Sequence, residues 1–260
     1  MRSNSVASLS ARFYDHAVPD PIYAHPRLAL AYDTFDGPRD DLAAYLAIAD
    51  ELAARRIVDL GCGTGCLALL LAADRQVIAV DPARASLDVA RAKPGADQVT
   101  WIEGDASAVP ADAQADLIVM TGNAAQAVLT DHDWTAMLRH VRSSLAFGGC
   151  FTFETRRPER RAWEEWAVDT EPITAHVPGL GPVEQRRELT AVDLPLVSFR
   201  YTYRFLNDNT TLTSDSTLRF RDEDELTTSL ETVGLGIREI REAPDRPGRE
   251  FVVLAQRLGI

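Results

Sequence analysis

The stretch IVDLGCGTGCLALLLA, Ile57 to Ala72, sets three glycines, Gly61, Gly63 and Gly65, between a run of strand character and a leucine-rich run of helical character. A plain turn needs one glycine, so three at alternate positions call for another reason. Glycine permits a tight turn and lets a ligand approach bare backbone, and the following helix aims its first N–H groups outward. The next strand, in VIAVDP, ends in an acid, Asp81. An acid at about twenty residues beyond the first strand is placed to accept hydrogen bonds from both hydroxyls of a ribose. A helix N-cap is the other role open to it. A dinucleotide site prefers G-x-G-x-x-G, whose last glycine lets the helix pack beneath a pyrophosphate. The spacing here is G-x-G-x-G, preceded by Asp59. A carboxylate there suits a ligand carrying an ammonium better than a pyrophosphate.

Outward from this junction, strands and helices alternate. RIVDL, QVIAVD, QVTWIEGD, ADLIVMTG and CFTFET read as strands. CLALLLAAD, PARASLDVARAK (with proline at its first position) and DHDWTAMLRHVRSSLA read as helices, and Gly148-Gly149 reads as the left-handed cap of the last. Such alternation predicts a doubly wound, mostly parallel sheet with helices on both faces. Ahead of it, prolines at 19, 21, 26 and 38 break the chain into an irregular stretch with short helical pieces, and Asp40 to Arg55 reads as a helix. After Thr155 the pattern changes. A helix with Trp163 and Trp166 precedes three antiparallel strands between Val183 and Phe220, an insertion that is either a lid or a homodimer surface. The paired tryptophans line a pocket or form a buried helix face. A helix, DEDELTTSLETVGL, and two strands close the chain. The division expected is an N-terminal helical cap at 1–55, a ligand-binding α/β core at 56–155, the insertion at 156–222, and a closing helix and strand pair at 223–260.

Composition narrows the function. The 260 residues are 46% hydrophobic, enough for a sizeable core, and the net charge is −12. With no basic run to offset that charge, nucleic acid is not an expected partner. No apolar run is long enough to span a membrane, and the first twenty residues hold no apolar core of signal-peptide length. Three cysteines, Cys62, Cys66 and Cys150, then point to the reducing cytoplasm. Cys62 and Cys66 lack a second Cys or His pair at metal spacing, so no metal site is expected. Lys93 is the only lysine, against 26 arginines. No G-x-S-x-G nucleophile elbow occurs.

Taken together, VDLGCGTG, the strand ending in Asp81, EGDA at 103–106 and the Gly-Gly turn before CFTFET resemble the class I S-adenosylmethionine-dependent methyltransferases. VMTGNAAQAV and YDTFDGPRDDL resemble a small-molecule subgroup of that family. The resemblance covers roughly Ala31 to Thr155 and extends more loosely to the C-terminal strands. It implies a Rossmann-like methyltransferase fold and S-adenosyl-L-methionine as cofactor. On the matching positions it implies that Gly61, Gly63 and Gly65 meet the methionine part and that Asp59 holds the loop or the ammonium. Asp81 takes the ribose hydroxyls, Pro82 lies against the adenine, Asp105 accepts from the adenine amino group and Ala106 sits at the ring. Thr121 and Gly122 face the sulfonium end, and Tyr32 closes over the cofactor. For Asp105 a turn acid, for Tyr32 core packing and for 121–123 an ordinary loop remain alternatives. An acceptor that must lose a proton needs a base, for which His132, His140, Tyr32 and Asp33 are candidates. The activity implied is methyl transfer to a small-molecule acceptor by in-line displacement. The alternatives are a non-catalytic cofactor-binding or regulatory module of the same fold, and a nucleotide-dependent oxidoreductase, which the glycine spacing and Asp59 disfavour.

Overall fold

The computed structural model describes residues 18–259. The reading of the extreme N-terminus as lacking a signal core, and the start of the 1–55 cap, fall largely on residues 1–17, outside the described residues.

Two helices open the described chain, α1 (Pro21–Ala24) and α2 (Pro26–Asp36), each with proline at its first position, where a missing N–H costs nothing. One of the short helical pieces expected in this stretch is thus a helix of eleven residues. It is followed by α3 (Leu42–Glu51), which buries Leu42, Tyr45 and Ile48. The alternation then runs β1 (Arg56–Leu60), α4 (Cys66–Leu71), β2 (Gln76–Asp81), α5 (Arg84–Arg91), β3 (Val99–Glu103), β4 (Ala115–Met120), α6 (Asp131–Ser144) and β5 (Leu145–Arg156). After α7 (Ala162–Val168) come β6 (Ile173–Val177), β7 (Gly181–Asp193), β8 (Leu196–Phe205) and β9 (Thr210–Arg219). The chain closes with α8 (Glu223–Thr232), β10 (Leu235–Glu242) and β11 (Glu250–Arg257).

The main sheet has the order β10-β11-β5-β4-β1-β2-β3. Strands β1 to β5 are mutually parallel, and β11 runs antiparallel between β5 and β10. The order reverses between β1 and β4. The crevice beyond the carboxyl ends of strands at such a reversal is where open α/β sheets bind ligands. The glycine loop after β1 and residues 121–123 after β4 both lie there.

The other four strands form a separate antiparallel sheet, β6-β7-β8-β9. One more strand is present than the sequence predicts, because β6 is a mostly exposed edge strand with weak alternation. One face of this sheet is apolar. Val183, Tyr203 and Phe205 pack on Ile22, Leu28 and Ala31 of α1 and α2, and Val197 packs with Trp163, Trp166 and Phe220. The tryptophans are therefore a buried helix face. The other face is polar, with Arg200 and Asp215 paired at 2.6 Å across β8 and β9. The sheet is tied to the core where Ser214 accepts from the Ile22 amide at 2.9 Å, and where Gln126 donates to the Arg219 carbonyl at 3.3 Å.

Two local expectations are corrected. Pro82 is not the first residue of a helix, because α5 starts at Arg84 and its N-cap is Ala83. The Asp81 carboxylate accepts from the Ala83 amide at 2.8 Å and holds Asp81-Pro82 as a turn before the helix. Gly148-Gly149 is not a helix cap, since α6 ends at Ser144 and Leu145 is already extended. The pair lies in the irregular first half of β5. A Cβ on Gly149 would come 2.7 Å from the Ala115 carbonyl oxygen, so only glycine lets β5 approach β4 there.

Candidate functional site

The loop after β1 is held by its neighbours as well as by its glycines. The amides of Gly61 and Cys62 both donate to the Val80 carbonyl, at 2.8 and 3.1 Å. The Gly63 amide donates to the Asp81 carboxylate at 2.8 Å. The three glycines adopt positive φ values of 75°, 53° and 79°, which L side chains rarely take. Their surroundings differ. Nothing stands within 4 Å of a Cβ built on Gly63, which faces open space; on Gly65 the same atom would meet the Trp101 ring at 2.5 Å. Gly63 is open to a ligand, whereas Gly65 answers to internal packing.

Two acids underlie the loop. Asp81 is 7% exposed and uses its carboxylate to fix both the glycine loop and the turn before α5, so it combines the cap role with its place at the crevice. Burial raises its pKa. Asp59 is 1% exposed, and neither oxygen has a well-formed hydrogen bond; only the Ala68 amide acts weakly on it. Burial, and secondarily the charge of Asp81, push its pKa up to about 7. A carboxylate that is buried and has only one weak donor is costly alone and suited to a ligand that brings more.

The N-terminal helices close one side. Asp33 on α2 accepts from the Thr64 hydroxyl and pairs with Lys93 at 2.6 Å, and Lys93 also donates to the Thr64 carbonyl at 2.8 Å. The sole lysine of the chain thus latches α2 to the glycine loop. Asp33 is committed to that latch. Tyr32 is half-buried, tilted against Tyr23 at 5.5 Å, and burial raises its phenol well above the ordinary value; in this arrangement it packs. His132 and His140 are both exposed on α6.

The remaining predicted positions lie along the same edge of the sheet. Pro82 is exposed beside Asp81. Asp105, just past β3, accepts from the amide and hydroxyl of Ser107 at 2.8 and 2.6 Å, the turn role, and its residue is exposed. Ala106 is buried in the core. Thr121 is half-buried, and Gly122, at φ 66°, is exposed with open space around it.

One group of residues was not legible in the sequence. Asn123, in the left-handed conformation, donates its amide to Glu154 at 3.1 Å and its side chain to Glu250 at 3.1 Å. The Tyr45 hydroxyl also donates to Glu154, at 2.5 Å. Glu250 is further paired with Arg246 at 3.0 Å and Arg156 at 3.6 Å. The members come from α3, the loop after β4, β5 and β11, so no local motif joins them. The one available signal was acids and arginines inside otherwise apolar strands, Glu154 and Arg156 in FTFETR and Glu250 before FVVLA. A surface hollow lined by Glu51, Asp116, Phe147 and Arg238 lies at the opposite edge, where the strands begin, and contains none of these residues. Among the described residues no cluster of His, Cys, Asp and Glu has metal-binding form, and no helix is long and apolar enough to cross a membrane.

Comparison with known proteins agrees with this geometry. Residues 57–149 match the family model of a methyltransferase domain. The chain is 32% identical over 132 residues to a cypemycin N-terminal methyltransferase of a Streptomyces species, covering 49% of this chain and 54% of that protein. It is 35% identical over 116 residues to the ubiquinone/menaquinone biosynthesis C-methyltransferase UbiE of Rubrivivax gelatinosus, covering 43% of this chain and 44% of that one. The chain thus spans about half the length of the curated relatives it matches. In fold it is similar to the CcbJ methyltransferase of Streptomyces caelestis, with a TM-score of 0.72 at 20% identity over 95% of this chain and 100% of the other. The weakly served carboxylate of Asp59, the open backbone at Gly63 and the acid at the end of β2 fit an adenosyl cofactor that carries an ammonium.

Proposed function

We propose that the chain transfers a methyl group from S-adenosylmethionine to a small-molecule acceptor. The observation that carries this reading is the pair Asp59 and Asp81 at the glycine loop, one carboxylate with only a weak donor and the other holding the loop, at the point where the sheet order reverses. When bound, the cofactor supplies an electrophilic methyl carbon on a sulfonium. The work of the chain is then to align an acceptor with it, and such positioning supplies much of the acceleration in methyl transfer. Gly63 leaves its backbone open to the cofactor, Asp59 would receive the ammonium, and Asp81 retains lone pairs beyond the two amides it holds, for the ribose. Thr121 and Gly122 would face the sulfonium end, with Pro82, Asp105 and Ala106 around the adenine. The apolar face of the four-stranded sheet lies toward the N-terminal helices and its polar face toward solvent, which supports a lid that excludes water over a dimer surface. The same packing supports the division into cap, core, lid and closing strands. Among the described residues the three cysteines are free, which supports a cytoplasmic enzyme. The net charge of −12 supports a partner other than nucleic acid.

Calorimetric titration with S-adenosylmethionine and, separately, NAD tests the reading. Binding of the first in the micromolar range, abolished by Asp81→Ala, is expected; preference for NAD, or no binding of S-adenosylmethionine, overturns it.

A further inference from the structure

The fold alone does not choose the atom methylated. The buried polar group beyond β4 does bear on it. Asn123 and Glu250 are 3% and 1% exposed. Asn123 Oδ1 and Glu250 Oε2 each lack any hydrogen-bond partner. The nearest donor contacts go to other oxygens. Asn123 Nδ2, Arg246 and Arg156 all turn to Glu250 Oε1, and the Tyr45 hydroxyl and the Asn123 amide turn to Glu154. Arg156 is occupied further by Gln126 Oε1 at 2.9 Å. The orientation of the Asn123 amide is fixed, because the reverse would set its oxygen against Glu250 Oε1. Two buried acceptor atoms therefore stand on a hydrogen-bonded Asn–Glu pair without a hydrogen bond of their own.

Buried acceptors are normally paired, and a native structure that leaves two together needs a reason. We propose that Glu250 Oε2 and Asn123 Oδ1 seat the acceptor nitrogen of a primary amine, beside residues 121–123. The inference rests on the methyltransferase reading and adds the acceptor class to it. A phosphate, carboxylate or ketone presents only acceptors to this pair and is rejected. A hydroxyl brings one donor and leaves the other oxygen unserved. A neutral primary amine brings two N–H groups from a single atom, which matches two acceptors on adjacent side chains, and keeps its lone pair for the methyl carbon. Arg156 and Arg246 balance the charge of Glu154 and Glu250, so recognition falls to these hydrogen bonds more than to net charge. A site built to hydrogen-bond an NH group rejects the analogue lacking it strongly, because its own buried groups are then left unpaired.

The test uses the full chain and a set of small primary amines: amino-sugar glycosides, arylalkylamines and amino-acid amides. Each is paired with its hydroxyl isostere and its N-acetyl derivative. Binding is read by saturation-transfer NMR on protein loaded with S-adenosylhomocysteine, and turnover by release of S-adenosylhomocysteine from S-adenosylmethionine. At least one amine is expected to bind and be methylated, with its isostere and acetyl derivative at least about 30-fold weaker. Glu250→Gln should lower kcat/KM for that amine by a similar factor, with S-adenosylmethionine affinity within about twofold. Glu250→Asp, which keeps the carboxylate, should retain the preference for amine over hydroxyl at weaker affinity, and it serves if the Gln variant does not fold. Preference for hydroxyl or carbon acceptors overturns the assignment. So does the absence of any amine binding while S-adenosylmethionine binds, or amine turnover unchanged in Glu250→Gln. Failure of S-adenosylmethionine itself to bind instead defeats the methyltransferase reading beneath it.

Discussion

Asp59→Asn should stabilise the ligand-free protein in a pH-dependent way. Burial, reinforced by Asp81, raises the Asp59 pKa from 3.8 to about 7 in the folded state. The folded chain therefore keeps a proton that the unfolded chain gives up. The stability contributed by the neutral acid is complete below the unfolded pKa and is lost as pH rises through the folded one. Between pH 5 and pH 7 the loss is two pH units at about 1.4 kcal/mol each, or roughly 3 kcal/mol, and it levels off above that. An asparagine is neutral throughout and escapes the loss. Its amide brings buried donors of its own at a cost of about 1–3 kcal/mol, but this offset does not change with pH and cancels when two pH values are compared. At about 2–4 °C per kcal/mol for a chain of this size, the melting temperature of the variant relative to the parent should rise by on the order of 8 °C between pH 5 and pH 8. Thermal unfolding followed by circular dichroism at both pH values, without ligand, measures it. A difference that does not depend on pH, or that moves the other way, would show that Asp59 is ionised and served by donors in the folded protein, and the reasoning would be wrong. The same variant should bind S-adenosylmethionine at least about tenfold more weakly, one lost charge-assisted contact being worth about 1.5–3 kcal/mol. The stability gained would be bought with the ligand site.

Other outcomes follow from the same loop. Gly63→Ala meets no atom within 4 Å, so its cost is the left-handed backbone alone, about 1–2 kcal/mol, and the fold should persist while cofactor affinity falls at least about tenfold. Gly65→Ala drives its Cβ to 2.5 Å from the Trp101 ring and should lose about 3 kcal/mol or more in a urea melt, before any ligand is added. Lys93→Met removes the ammonium that joins Asp33 to the Thr64 carbonyl. Because the pair is partly exposed, the stability loss should be only about 1 kcal/mol, whereas hydrogen exchange at the amides of α2 should quicken; unchanged exchange there would remove the latch from the account.

The local signals in the sequence were strong where one element meets the next. A strand of continuous apolar residues, three glycines, a leucine-rich helix and an acid at the end of the following strand describe a βαβ unit almost completely, because backbone conformation and burial period are set within a few residues. The parallel core, α6, α8 and the closing strand pair all emerged from that periodicity. Edge strand β6 did not, since a strand exposed at three of five positions and buried at only one has no burial period to read. Gly148-Gly149 was misplaced for a related reason: the need for glycine there comes from a carbonyl on β4, some thirty residues away, and a helix end next to two glycines looks the same in sequence.

The chain by itself thus determined the βαβ unit, the loop of Gly61, Gly63 and Gly65 between β1 and α4, and the acids that flank it. The tertiary structure alone decided the rest: that Asp59 has only a weak donor, that Asp33 is spent on Lys93, and that Tyr45, Asn123, Glu154 and Glu250 meet. The physical reason is one of range. Backbone geometry and amphipathic period are local, whereas the ionisation and pairing of a buried side chain depend on which distant groups packing brings beside it, and on which donors it leaves none for.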